Sequence, residues 1–214
     1  MQIDDLGRGK WLELLIMTSA LLDQRDYRDE SAFIYGALRR GRRLYTPLDA
    51  LSMLAVSMLA HFAKIPMKAA GSLMRENWED FLRAVAKVER EMAAAKTTWG
   101  AHPDELWIAT TTVFSDDGRE PKVLGRIGAR QETHDALWMA GAHVSIHYLP
   151  MKLIVRTLHN NSRDTGVELP KLFVPHAPDT PEFETWLEEI REYRRLASRF
   201  EKQQAKAKAR KAMA

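Results

Sequence analysis

Apolar residues recur three or four positions apart through roughly the first hundred positions, which predicts helices. Lys10 to Leu22 (KWLELLIMTSALL) is apolar nearly all round and predicts a buried helix. The charged stretch Asp23 to Glu30 reads as a turn, with Asp29 or Ser31 as a cap. Ser31 to Arg40 then predicts a short helix carrying Phe33, Ile34, Ala37 and Leu38, with Gly41 ending it. Two helices joined by a polar turn, the second ending in arginines, have the outline of a helix-turn-helix.

Thr46-Pro47-Leu48-Asp49 marks the sharpest boundary. A threonine cap, a proline at the first helical position and an acid at the third are the residues that a helix start requires. Leu48, Leu51, Leu54, Met58, Leu59 and Phe62 follow as one apolar stripe. Pro66 breaks it, Met67 to Met74 predicts a shorter helix, and Asn77 to about Lys96 predicts a third with Trp78, Phe81, Leu82, Val85 and Val88 on one face.

The pattern changes after Gly100. Leu106 to Phe114 (LWIATTTVF) is β-branched and aromatic, as strands are. Ser115 to Arg119 reads as a hairpin turn and Lys122 to Ile127 as the return strand. A helix is predicted over Gln131–Ala140, a third strand over His143–Leu149, and a helix opened by Pro150 through about Asn160. A proline-rich loop and a charged helix from about Glu182 complete the chain. The expected class is α+β: a helical winged-helix-like unit over 1–98, a small three-stranded α+β unit over 99–165, and over 166–214 a loop, a charged helix and a basic tail.

Composition sharpens this picture in three ways. With 45% hydrophobic residues and six tryptophans among 214, the chain can build a core. No apolar run approaches the roughly 20 residues that span a bilayer, so no membrane partner is expected. The absence of cysteine excludes disulfides and thiolate chemistry, and a cytoplasmic location is compatible with it. The net charge of +3 is unevenly placed. Setting aside five of the 32 bases (Lys202, Lys206, Lys208, Arg210 and Lys211) leaves 27 against 29 acids. Positive charge therefore gathers at Arg39–Arg43 and in the tail, and local clustering is what attracts a polyanion.

The segment Gly41 to Met74, GRRLYTPLDALSMLAVSMLAHFAKIPMKAAGSLM, resembles the second half of a MerR-type winged-helix DNA-binding domain. Arg43, Tyr45, Thr46 and Asp49 match that family in kind and spacing. The Ala63–Met67 break falls where the family turns into its next helix. The first strand of such a wing is not legible in the sequence, and the thiolate ligands of metal-sensing members are absent. The resemblance implies a transcriptional regulator that binds double-stranded DNA, as a homodimer or with another transcription protein. Its contacts would come from Tyr35, Arg39, Arg40, Arg42, Arg43, Tyr45, Lys64 and Lys68. Guanidinium groups pair bidentately with phosphate and stay charged. Base readout would come from Arg39, Arg40 or Tyr35.

Other readings stand beside this one. The arginine run also fits a solvated turn or an acidic protein partner, and Tyr45 also fits a packed core residue. His143 and His147, with Ser145 between them, lack an obvious third ligand, so neither a metal nor a cofactor is expected. Asp116 and Asp117 are turn residues beside Gly118, and GRIGA at Gly125–Ala129 lacks the dinucleotide pattern. Catalysis has no support in the sequence. The alternative to a regulator is a non-catalytic interaction protein, accessory or phage-related, with a degenerate DNA-binding fold.

Overall fold

The computed structural model describes residues 8–15, 37–39, 42–94, 106–114, 121–140 and 145–195. The predicted turn at Ser115–Arg119, His143 and the basic tail lie outside these residues.

Helix α1 (Arg8–Leu14) is followed by strands β1 (Ala37–Arg39) and β2 (Arg42–Leu44). Three helices come next: α2 (Pro47–Phe62), α3 (Met67–Glu76) and α4 (Trp78–Ala94). Strands β3 (Leu106–Phe114) and β4 (Pro121–Ala129) lead to α5 (Arg130–Met139), β5 (His147–Pro150) and α6 (Met151–Thr165). A last described helix, α7, covers 181–195. The class is α+β: seven described helices, a two-stranded hairpin and an antiparallel three-stranded sheet ordered β4-β3-β5.

Two sequence expectations are corrected. In place of a helix over Ser31–Arg40, Ala37–Arg39 is a strand, paired antiparallel with Arg42–Leu44. Ala, Leu and Arg all favour helix locally, and pairing with a partner strand overrides that preference. The third strand of the sheet begins at His147 rather than His143; the described residues before it, Ser145 and Ile146, do not belong to the strand.

The sheet separates two layers. Side chains alternate along β3, so Ile108 enters the main core while Ala109 faces α5 and joins Leu137, Leu124, Ile146 and Tyr148. Helix α6 is the hub on the main side, touching α1, α2, α4, β3 and β5. One apolar cluster runs from Trp11 through Leu51, Phe81, Ile108 and Leu158 to Phe183, so all three segments of the sequence share a core. Gly125 serves this packing: a Cβ there would lie 2.1 Å from Leu73 Cδ1, so any larger residue would force the buried Leu73 side chain to shift.

Polar ties between distant segments complete the core. Asn161 Nδ2 donates to the Leu14 carbonyl at 2.7 Å, fixing α1 on α6. Glu89 on α4 is 4% exposed and accepts from the backbone N–H of Phe173 (2.7 Å) and of Val174 (3.1 Å). It holds the proline-rich loop against the helices. Burial raises the Glu89 pKa to about 7, although both N–H donors and nearby Arg90 favour the ionised form.

A folded-state pKa above the ordinary carboxyl value makes the folded chain bind the proton more tightly than the unfolded one. The Glu89 contribution is therefore complete below about pH 4.5 and is lost as pH rises to about 7, by up to about 3 kcal/mol. Glu89→Gln is expected to remove that slope from unfolding free energies measured in urea across this range. An equal slope in the variant would assign the pH dependence to other groups.

Candidate nucleic-acid interface

The arginine segment is a hairpin held at the end of a buried helix. Arg39 pairs with Arg42 across the two strands, Leu38 with Arg43 and Ala37 with Leu44. Three of the four arginines thus lie at adjoining backbone positions of one ribbon. Arg40, like Tyr35, lies outside the described residues.

Two side chains fix the base of the ribbon. Tyr45, directly after β2, is 2% exposed, and its ring stacks on Trp11 at 4.0 Å between centroids with planes 14° apart. An offset or stacked aromatic pair adds about 0.5–1.5 kcal/mol beyond its burial. Thr46 then caps α2. The Asp49 N–H donates to Thr46 Oγ1 at 3.1 Å, and Asp49 Oδ2 accepts from the Thr46 N–H at 2.7 Å and from its hydroxyl at 2.8 Å. Pro47 occupies the first turn, where its missing N–H costs nothing. No residue separates the ribbon from this anchor.

The expected contact residues divide accordingly. Tyr45 is a core residue with its ring buried against Trp11, which is the packed reading that the sequence also offers. Lys64 and Lys68 are exposed, Lys64 with φ 55° in the turn between α2 and α3. They follow the far end of α2, whose 16 residues extend about 24 Å from the ribbon. Along the chain the whole of α2 separates them from the ribbon. Of the eight expected contacts, the backbones of Arg39, Arg42 and Arg43 lie within one ribbon. Trp11, which anchors the group, is not singled out by the sequence; its only signal there is an apolar position in the first helix.

The histidines occupy separate surroundings. His134 Nδ1 lies 2.8 Å from the Tyr148 hydroxyl, and His147 Nε2 lies 3.5 Å from Ser145 Oγ. His159 lies against Phe173 with ring centroids 4.9 Å apart, and burial, with Arg163 nearby, holds its pKa below the ordinary imidazole value. Among the described residues no three His, Asp or Glu side chains gather to hold a metal ion. No helix among them is long and apolar enough to cross a membrane. No protein-family model matches the chain, and no curated protein shows significant similarity to it.

Removing either half of the cap is expected to destabilise the protein. Thr46→Ala and Asp49→Ala should each cost about 1 kcal/mol in urea unfolding. The double variant should cost less than the sum, because each substitution already breaks the same exchange. Strictly additive losses would show that the two side chains act separately.

Proposed function

We propose that this protein is a DNA-binding transcriptional regulator whose arginine ribbon contacts the phosphates of duplex DNA. The observation that carries this reading is the β1–β2 hairpin, which enters a capped, buried helix through Tyr45 without a spacer. A ribbon fixed at its base loses less conformational freedom on binding than a loose arginine linker. No acidic residue occurs between Glu30 and Asp49, so the local sequence offers the four arginines no neighbouring carboxylate.

The likeness to a MerR-type wing gains support from the same hairpin, whose first strand is not legible in the sequence. The order of ribbon, capped helix, short break and further helices also follows that resemblance. On this reading the protein acts in the cytoplasm on double-stranded DNA, alone, as a homodimer or with another transcription protein. Arg39, Arg40, Arg42 and Arg43 form the primary contact. Lys64 and Lys68 reach phosphates only at a second place on the duplex.

A second reading is favoured by one feature of the α5 end: Trp138 is 50% and Met139 84% exposed, side by side in sequence. Such residues suit a protein contact. In an interaction protein with a degenerate DNA-binding fold, this end rather than the ribbon would be the working surface.

Arg42→Ala with Arg43→Ala tests the first reading. The double variant should weaken duplex binding and reduce the slope of log affinity against log salt by roughly 0.9 for each phosphate that the ribbon no longer neutralises. Lys64→Ala with Lys68→Ala should have a smaller effect that adds to the arginine effect, as distant sites do. Fluorescence anisotropy on a labelled duplex over a range of salt measures both. An unchanged affinity and slope in the arginine variant would remove the ribbon from the DNA interface and favour the interaction-protein reading.

A further inference from the structure

The three-stranded sheet leaves its longer outer strand without a neighbour on one side. β4 pairs with β3 over nine consecutive residues, Pro121 to Ala129, with no bulge. Its other edge meets no strand among the described residues. A long, unbulged edge is a template for a further strand. Val123, Leu124 and Ile127 are only partly buried along it, and Lys122 and Arg126 are exposed.

We propose that β4 pairs antiparallel with β4 of a second copy of this chain about a two-fold axis at Gly125, joining the two sheets edge to edge. Gly125 is the midpoint of the strand, so this register overlaps all nine residues. Val123 then meets the partner's Ile127 on the face that packs on the main core, and such β-branched pairs favour strand association. On the α5 face, Leu124 meets the partner's Arg126, and Gly128 meets the partner's Lys122.

Charge selects a second copy as the occupant. A Cβ at Gly128 would lie 3.5 Å from Glu132 Oε2, so the Glu132 carboxylate stands beside that position. Directly opposed side chains on neighbouring strands have Cβ atoms about 5 Å apart. The partner's Lys122 therefore comes next to Glu132, and the two-fold repeats the pair at the other end. Moving the axis to Leu124 would set Lys122 against the partner's Arg126, and moving it to Arg126 would set that arginine against its own copy. Within one chain, six strand residues, or about 20 Å, separate Lys122 from Gly128, too far for Lys122 to reach its own Glu132. Among the described residues neither Lys122 nor Glu132 forms an ion pair within the chain. The contact makes no use of the arginine ribbon and stands apart from the DNA reading.

Sedimentation velocity on the full chain without DNA tests the pairing. The wild-type chain should dimerise reversibly as concentration rises. Lys122→Glu and Glu132→Lys, both at exposed positions, should each weaken the dimer about tenfold, because each sets like charges together at both ends. An equimolar mixture of the two variants should recover wild-type affinity, since every pair in a mixed dimer again joins opposite charges. Circular dichroism verifies that each variant is folded. The assignment is overturned if the wild-type chain stays monomeric, if the single variants dimerise as tightly as wild type, or if the mixture is no tighter than either variant alone. With no nucleic acid in the sample, none of these outcomes bears on the ribbon.

Discussion

Helix α2 is buried on nearly every side, so its first-turn N–H groups cannot all rely on water, and the Thr46–Asp49 exchange supplies partners within the chain. A helix end buried without partners would cost about 1–3 kcal/mol per unsatisfied group. With this end closed, Ala50, Leu51, Met53, Ala55 and Val56 can all enter the core. The small residues let α3 and α6 approach, and α6 carries the sheet. The same four residues that close the helix also receive the arginine ribbon, so the base of the ribbon shares the rigidity of the core.

How much of this is legible in the sequence depends on how local each cause is. The cap at Thr46 to Asp49 is readable because its donors and acceptors lie three residues apart. The strand at Leu106–Phe114 is readable from its β-branched run, and Pro66 correctly marks the end of a helix. The apolar stripe of α2 is a partial reading. Residues between the stripe positions, such as Ser52 and Val56, are buried too, while Phe62 at its end is 57% exposed. Periodicity finds one buried face, but a helix enclosed by several others has more than one.

What escapes the sequence is set by partners far along the chain. Phe33, Ile34, Ala37 and Leu38 lie at helical spacing, and the opposing strand is what makes Ala37–Arg39 extended. Tyr45 meets Trp11 across 34 positions, and Glu89 meets the loop across 84. A glycine that looks like a fragment of a nucleotide-binding motif, Gly125, instead makes room for the Leu73 side chain.

Several described arginines are matched by carboxylates from the same chain. Arg83 reaches Glu79, Asp179 and Glu184, Arg191 reaches Glu79 and Glu188, and Arg195 reaches Glu192. Pairing with Arg191 holds the Glu79 carboxyl below its ordinary pKa. These pairs are partly exposed, so each contributes little to stability alone, but together they fix where α7 lies on α4. The ribbon arginines belong to a segment with no acid for 18 positions. Charge that serves to seat a helix is matched by carboxylates from the same chain. Under the proposed reading, charge gathered on a ribbon with an anchored base, in a stretch of sequence without acids, serves an anion that comes from outside the chain.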